Sequence, residues 1–284
     1  MTPLLLSDVT SRRFWRELVG TALATVGLVA TLAGLFDVLF PNDLPKIGTP
    51  AAIGILVVAA ATGLSRAWPR PVQETFTSPS LRIKVLPGDL LEQSCHLMIG
   101  MCDTFDTARD IIATTSLQAQ FLRRFLGGDV SRFDSELVRG LAGFSPIATI
   151  AKAGKTDQYQ LGTVATLGGV DRRFFCVAYT EMNERNEARG TIDGVWSSLT
   201  SLWSAVCEFG NGSPVAMPAI GGGQSRLSQS LSPADAIRLQ VMSFWLASRE
   251  ERLSEELRIV VPPDVYDKLD RRELQEFLSS LKPS

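Results

Sequence analysis

The sequence predicts an α/β domain with a mixed, mostly parallel sheet, preceded by a hairpin of two membrane-spanning helices. Two observations lead to this prediction. Beyond residue 80, strand-like segments alternate with amphipathic helical segments, which is typical of layered α/β domains. Before residue 70, two long segments without charged residues each have the length of a membrane span. We therefore divide the chain into a transmembrane hairpin (1–70), a linker (71–80) and a cytosolic domain (81–284).

Charge is distributed unevenly along the 284 residues, although the net charge is only −2. Residues 1–70 contain six Lys/Arg and four Asp/Glu, whereas residues 71–284 contain 22 and 26. The acidic second part contains no long basic run, which argues against nucleic acid as a partner.

Cysteine and histidine usage limits the chemistry of the chain. The four cysteines are scattered without CxxC spacing, and we expect free buried thiols, as in a reducing cytosol. His96 is the single histidine, so the sequence excludes a zinc site built from several histidines. We expect no metal and no catalytic residue, and we interpret His96 as a packing residue.

The two uncharged segments are Leu18–Phe36 and Ile47–Ser65, nineteen residues each. As helices, each would be roughly 28 Å long, close to the thickness of the bilayer core. A single such segment would also fit a signal peptide, but the chain has two, and no small-residue cleavage site follows a short apolar core. The alternative is a buried helical hairpin in a soluble protein.

Flanking charges predict the orientation of this hairpin. Three arginines precede the first span and two follow the second, whereas the connection carries one Lys and two Asp. The positive-inside rule places both termini in the cytoplasm. Neither span contains an ionisable residue, which argues against a transporter.

Each span also carries a seam of small residues, a feature that lets helices approach closely, either within the hairpin or between protomers. The first seam is Gly20, Ala24, Gly27, Thr31 and Gly34; the second is Gly48, Ala52, Ile55, Ala59 and Gly63.

The cytosolic domain is predicted to begin with a strand over Leu81–Leu86, a Pro-Gly-Asp turn and a buried strand over His96–Met101. Asp89 follows the first strand, where open α/β sheets place small ligands. The alternative is that Asp89 only caps a helical turn over Leu90–Gln93.

The rest of the domain alternates helices and strands. We predict helices over Ser116–Gly127, Ser131–Leu141, Thr191–Val206, Pro233–Ser248 and Asp264–Leu281, and strands over Tyr159–Leu167, Arg173–Tyr179, Pro214–Ile220 and Leu257–Val261. The glycines Gly221, Gly222 and Gly223 lie between a strand and a helix, an arrangement that presents backbone N–H groups to phosphate. They could equally form a tight turn.

Together these residues resemble the macro domain, and more closely the macro-type effector of type II Thoeris anti-phage defence. The features that carry the resemblance are the Gly88-Asp89-Leu90 turn, the CDTFDT loop (Cys102–Thr107), the SLQAQF helix start, the LGTVATL strand, the AYTEMNERN segment (Ala178–Asn186) and the Pro-Ala-Ile-Gly-Gly-Gly run ending at Gly223. The resemblance implies a three-layer macro-like domain with a pocket for an ADP-ribose derivative.

The resemblance also implies roles for individual residues. Asp89 would accept the adenine amino group, the Gly221–Gly223 amides would hold the pyrophosphate, and the segment from Asn183 to Asn186 would reach the distal end. The implied contact residues are Gly88, Asp89, Leu90, Asp103, Thr104, Phe105, Asp106, Asn183, Asn186, Gly221, Gly222 and Gly223.

The family further implies a signal made from NAD by a partner TIR-domain enzyme, with ADP-ribose joined to an amino acid such as histidine. Hydrolytic macro domains have asparagines just after the second strand, where this chain has Met101-Cys102-Asp103. This difference favours binding without turnover.

Three functions are therefore compared. The first is a membrane-anchored effector that binds the nucleotide, oligomerises and disrupts the membrane. The second is a tethered ADP-ribosyl or nucleotide hydrolase with Asp103 or Asp106 as general base. The third is a passive scaffold that docks ADP-ribosylated proteins at the membrane. The missing asparagines favour the first over the second, and the small-residue seams favour it over the third.

Overall fold

The structure is a computed structural model that describes residues 12–39, 48–68, 71–221, 227 and 231–282. The chain divides into two compact units, Met1–Arg70 and Pro71–Ser284.

The first unit contains two antiparallel helices, α1 (Arg12–Leu39) and α2 (Thr49–Ala67). Both are long and apolar enough to cross a membrane, judged by length and composition alone. Helix α1 extends beyond the predicted span at both ends. The predicted start of the second span, Ile47, and most of the connection lie outside the described residues.

The two small-residue seams face different surroundings. On α2, Ala59 and Gly63 are buried in the hairpin, and a Cβ at Gly63 would lie 2.7 Å from the Leu18 carbonyl oxygen. Thr25 Oγ1 and Thr62 Oγ1 lie 3.2 Å apart across the same contact. On α1, by contrast, a Cβ added at any of the three seam glycines would meet no atom within 4 Å: Gly20, Gly27 and Gly34. The Ala59–Gly63 end of the α2 seam therefore packs within the hairpin, whereas the glycines of the α1 seam face away from it.

The second unit is built on one eight-stranded sheet. Its strands are β1 Val72–Thr77, β2 Ser80–Pro87, β3 His96–Cys102, β6 Val164–Gly169, β7 Arg172–Met182, β8 Ala188–Arg189, β9 Val215–Pro218 and β10 Glu256–Val261. Their spatial order is β1-β2-β10-β9-β3-β7-β6, and β8 pairs with the end of β7. Strands β2, β10, β9, β3 and β7 are parallel, and β1 and β6 are antiparallel additions at the two ends. The predicted mixed, mostly parallel sheet is confirmed.

Strand β1 corrects the prediction of a linker over residues 71–80. Val72 and Phe76 are buried on one side of β1, and the strand pairs antiparallel with β2 through a turn at Ser78-Pro79. The polar composition reflects an edge strand whose other side chains face away from the core. The folded domain thus begins near Pro71 rather than at Leu81.

Helices cover both faces of the sheet and form two hydrophobic clusters. One face packs against α5 (Ile192–Phe209), α6 (Pro233–Glu250), α7 (Pro263–Tyr266) and α8 (Arg271–Ser280). The other packs against α3 (Leu117–Leu126), α4 (Val130–Gly140) and the 3-10 turn Leu90–Glu92. The domain therefore has the three-layer architecture that the sequence predicts.

Local capping signals explain most helix starts in the second unit. Side chains of five residues accept hydrogen bonds from the first-turn N–H groups of α3, α4, α5, α6 and α8: Ser116, Asp129, Thr191, Ser232 and Asp270. The cap at Asp270 also explains why the predicted helix over Asp264–Leu281 is interrupted, because the chain begins a new helix there.

Two further differences concern strands. The predicted strand Tyr159–Leu167 begins only at Val164, because Gly162 has a positive φ of 94° and its N–H donates to the Ala178 carbonyl in a turn. A separate two-stranded hairpin, β4 (Ala148–Thr149) with β5 (Asp157–Gln158), was not predicted.

Candidate functional site

The predicted site residues converge at one edge of the sheet. Because β2, β9, β3 and β7 are parallel, their carboxyl ends meet at the same edge. Strand β2 leads there into Gly88 and Asp89, β3 into Asp103–Asp106, β7 into Asn183, and β9 toward Gly221. Open α/β sheets bind small ligands outside this edge. Gly222 and Gly223 lie outside the described residues.

The Gly88-Asp89 turn is fixed by the backbone and by one arginine. Gly88 has a φ of 145°, a conformation that favours glycine, and its N–H donates to the Val261 carbonyl at 3.0 Å. Asp89 Oδ1 accepts the Leu91 N–H at 2.8 Å, so Asp89 does cap the 3-10 turn. Its other oxygen, Oδ2, accepts from Arg124 Nη1 at 2.8 Å. The cap and the ion pair hold the carboxylate in one orientation at the sheet edge.

Asp103 joins three strand ends. Its side chain is buried, Oδ1 accepts the Met182 N–H at 2.9 Å, and Oδ2 accepts from Gln158 Nε2 at 3.0 Å. Burial raises the pKa of the Asp103 carboxyl, although these hydrogen bonds partly offset the effect. Both oxygens thus have protein partners.

Asp106 is the acceptor at the centre of a buried ion pair. Lys152 Nζ lies 2.6 Å from Asp106 Oδ2, and both side chains are fully excluded from solvent. The Thr104 hydroxyl donates to the same oxygen, and the Lys155 N–H donates to Oδ1 at 2.8 Å. The ring of Phe105, which has a φ of 49°, is buried beside this network.

A second lysine fastens the same loop to helix α4. Lys155 Nζ donates to the Phe105 carbonyl at 2.9 Å and lies 2.6 Å from Asp134 Oδ1. Thr107 donates to the same Asp134 oxygen. Lys152 and Lys155, in the segment after β4, therefore hold the predicted pocket loop Asp103–Asp106 in place. Sequence reasoning missed both lysines because they lie about 50 positions away in an unpatterned segment.

Asn183 and Asn186 form the tight turn between β7 and β8. Asn183 Oδ1 accepts the N–H groups of Arg185 and Glu187, both at 2.9 Å, and Asn186 adopts a positive φ of 57°. Asn186 Oδ1 is buried and has no hydrogen-bond partner among the described residues. This turn therefore carries one unsatisfied acceptor at the carboxyl end of β7.

The described start of the glycine loop, up to Gly221, is anchored by two residues that the sequence analysis did not identify. Gln240, fully buried on α6, accepts the Ile220 N–H through Oε1 at 3.2 Å and donates to the Pro218 carbonyl at 2.8 Å. Leu227 is buried against Gly190 and Gly221, and Gly221 has a φ of 103°. The backbone is thus fixed as it enters the glycine loop.

Two other residues with reactive side chains, His96 and Cys102, are not available for catalysis, because the first is fully hydrogen-bonded and the second is uncharged. His96 Nε2 donates to the Gly210 carbonyl at 3.0 Å, and its Nδ1 accepts the Arg173 N–H at 3.0 Å, which makes it a satisfied packing residue. Burial raises the pKa of the Cys102 thiol, so it stays protonated at neutral pH. Within the described part of the chain, no group of three or more His, Cys, Asp or Glu side chains is placed to hold a metal ion.

Comparison with known families identifies this domain. The family model for "Thoeris protein ThsA, Macro domain" matches residues 83–262, more than half of the chain. The chain belongs to this family. Comparison with curated proteins gives no match.

Solved structures similar to the ThsA macro domain of this chain include two structures of one macrodomain and one structure of another. The Oceanobacillus iheyensis macrodomain with ADP has 10% identity and a TM-score of 0.48, covering 75% of this chain and 99% of that chain. A mutant of the same macrodomain with ADPR has 11% identity and a TM-score of 0.49, covering 74% and 100%. The Mycobacterium tuberculosis DarG macrodomain has 19% identity and a TM-score of 0.41, covering 65% and 99%.

Proposed function

We propose that this chain is a membrane-anchored anti-phage effector that binds an ADP-ribose-derived signal, such as histidine-ADP-ribose, supplied by a TIR-domain enzyme. One observation carries the proposal: in a domain of the ThsA macro family, the Gly88-Asp89 turn and Gly221 lie at the same carboxyl edge of the parallel sheet. The ADP-ribose derivative is then a signal ligand, no resident cofactor is expected, and the chain acts as a receptor rather than an enzyme.

The charges at this edge suit the two ends of such a nucleotide. Each oxygen of Asp89 accepts one protein hydrogen bond, and a carboxylate oxygen has lone pairs for more. Asp89 therefore accepts the adenine amino group, next to the Leu90 amide. The amides of Gly221–Gly223 hold the pyrophosphate, because backbone N–H groups bind phosphate oxygens well.

The distal group is read by the turn between β7 and β8. Asn186 Oδ1 is a buried acceptor that lacks a partner among the described residues, and such a group is costly to leave unsatisfied. An N–H donor on the amino-acid part of the ligand would satisfy it once the turn moves to expose this atom. Asp103–Asp106 line the opposite wall of the pocket, held in place by Gln158 and Lys152.

Binding without hydrolysis is supported by the two acidic residues beside the pocket. A general base needs a carboxylate that can reach a water molecule beside the substrate. The oxygens of Asp103 accept from Met182 and Gln158, and those of Asp106 accept from Lys152, Lys155 and Thr104. These partners hold both carboxylates in structural roles, which favours the receptor over the hydrolase.

Ligand binding then reaches the membrane through oligomerisation. A ligand shifts an equilibrium between assemblies only if it prefers one of them. Clustering of domains raises the effective concentration of the tethered hairpins, whose α1 seams face outward and can pack against each other. The packed hairpins disrupt the inner membrane.

Calorimetry and product analysis test the proposal on the full-length protein in detergent micelles. We expect heat of binding with histidine-ADP-ribose and intact ligand after prolonged incubation, as followed by chromatography. No heat with any ADP-ribose conjugate would rule out the proposed site. Steady conversion of the ligand that Asp103→Ala abolishes would instead identify a hydrolase.

A further inference from the structure

Gln240 is a polar side chain within the buried face of α6. It is fully buried, and the residues one helical turn to either side are buried and uncharged as well: Ala236, Ile237, Ser243 and Phe244. A buried amide is unfavourable unless its donor and acceptor groups find partners. Packing alone therefore does not account for an amide at this position, whereas its hydrogen bonds do.

Both hydrogen bonds of this amide go to the backbone where β9 ends. Gln240 Oε1 accepts the Ile220 N–H at 3.2 Å, and Nε2 donates to the Pro218 carbonyl at 2.8 Å. These two backbone groups flank Ala219, and a residue of a parallel strand would bond the same pair. The pairing of β9 with β3 has ended before this point, at Ala216. The Gln240 side chain therefore takes the place of a strand residue at the entry to the glycine loop.

The helix that carries Gln240 is itself fixed against α5. Trp203 Nε1 on α5 donates to Ser243 Oγ at 3.0 Å, and the Ser243 hydroxyl donates to the Gln240 carbonyl at 2.9 Å. The side chains of Trp203 and Ser243 are both buried. The backbone at the end of β9 is therefore held by a packed helix, and sites supported by helices and strands are positioned more precisely than sites supported by loops.

We propose that Gln240 is a positioning residue for the phosphate-binding end of the pocket. Gly221 follows Ile220 directly, and its φ of 103° turns the backbone out of the strand direction. Because Gln240 fixes the Pro218 carbonyl and the Ile220 N–H, it sets the direction in which the Gly221 amide meets the pyrophosphate. Gln240 is fully buried and acts on the ligand only through this backbone. The inference rests on the proposed function and adds a determinant of affinity to it.

Gln240→Met tests this role in full-length protein in detergent micelles. The substitution keeps the length of the side chain and removes both hydrogen bonds to the loop backbone. Calorimetry with histidine-ADP-ribose should give a Kd raised on the order of tenfold, because these bonds no longer hold the loop. Ser243→Ala is the matched control, since it removes the link between α6 and Trp203 but leaves the amide of Gln240 in place. It should lower stability in urea and leave the Kd unchanged.

Gln240→Glu gives a readout that a general loss of stability does not produce. A protonated carboxyl can accept the Ile220 N–H and donate to the Pro218 carbonyl, whereas a carboxylate can only accept. Burial raises the pKa of a carboxyl, so the introduced group should titrate close to neutral pH. The ratio of the Kd of Gln240→Glu to that of the unchanged protein should therefore rise from mildly acidic to mildly alkaline solution. The same ratio for Gln240→Met should not depend on pH.

The possible results separate this role from the proposed function. Unchanged affinity in Gln240→Met, an equal loss of affinity in Ser243→Ala, or a pH-independent ratio in Gln240→Glu would each overturn the positioning role and leave the proposed function in place. Absence of binding by the unchanged protein would instead contradict the proposed function, and this inference with it.

Discussion

Lys152 Nζ lies 2.6 Å from Asp106 Oδ2, and neither side chain is reached by solvent. The pair connects the loop after β3 to the segment after β4, 46 positions further along the chain. Because a buried charge without its partner is strongly unfavourable, the two segments are coupled in the folded state. The wall of the proposed pocket therefore depends on a residue outside it.

Removal of one member of this pair should destabilise the domain strongly. Lys152→Met leaves the Asp106 carboxylate buried without its cation and should cost about 3–5 kcal/mol of unfolding free energy. Lys155→Met is the matched control, since the Lys155 side chain is 33% exposed and its pair with Asp134 is worth at most about 1 kcal/mol. Urea denaturation measures both. Equal losses in the two variants would contradict the role of burial.

The carboxylate of Asp89 should contribute more to ligand binding than its arginine partner does. Asp89→Ala removes a charge-assisted hydrogen bond to the adenine amino group, worth about 1.5–3 kcal/mol, or roughly ten- to a hundredfold in Kd. Arg124→Gln should weaken binding less, because the Leu91 N–H still orients the carboxylate. Arg123→Gln is the control, because the Arg123 guanidinium donates to the Thr114 carbonyl, whereas Arg124 donates to Asp89. Calorimetry with histidine-ADP-ribose decides, and unchanged affinity in Asp89→Ala would remove this contact from the proposal.

Glu256 should make the stability of the domain sensitive to acid. Burial alone would raise the pKa of Glu256, but hydrogen bonds from Lys84 and Arg258 outweigh it and lower the pKa below its ordinary value of 4.5. The carboxylate therefore stabilises the fold above pH 4.5, and this contribution is lost as the pH falls through the lowered pKa. Glu256→Gln should be less stable at neutral pH and should lose less stability in acid. Urea denaturation at several pH values from neutral to acid measures the free energy of unfolding of the unchanged protein and of Glu256→Gln. The same dependence on pH in both proteins would contradict this role of Glu256.

The outward seam of α1 should be needed for membrane damage but not for ligand binding. Gly27→Leu/Gly34→Leu places large side chains where close helix packing between protomers is proposed. The variant should bind ligand normally and fail to permeabilise cells that contain the signal. Gly54→Leu is the matched control, because Gly54 on α2 also faces open space but lies outside the α1 seam. Dye uptake measures the damage, and full permeabilisation by the double variant would exclude the seam from the mechanism.

Several elements could be predicted because their signals are local. Ser116 and Gly127 mark the two ends of α3, and Ser232 with Pro233 marks the start of α6. The alternation of Leu81, Ile83 and Val85 likewise identified β2. Strand β1 was missed because only two of its six residues enter the core, so its composition matches that of a linker.

The sequence by itself determined the helices, the central strands, the hairpin of apolar helices and the turn at Gly88-Asp89, since capping, periodicity and glycine conformation act over a few residues. Only the tertiary structure decided the order of the strands, which brings Asp89 and Gly221 to one edge. It also decided the partners of the buried charges: Arg124 for Asp89, and Lys152 for Asp106. These pairs join positions 35 and 46 residues apart, and their selection depends on burial, which no local pattern records.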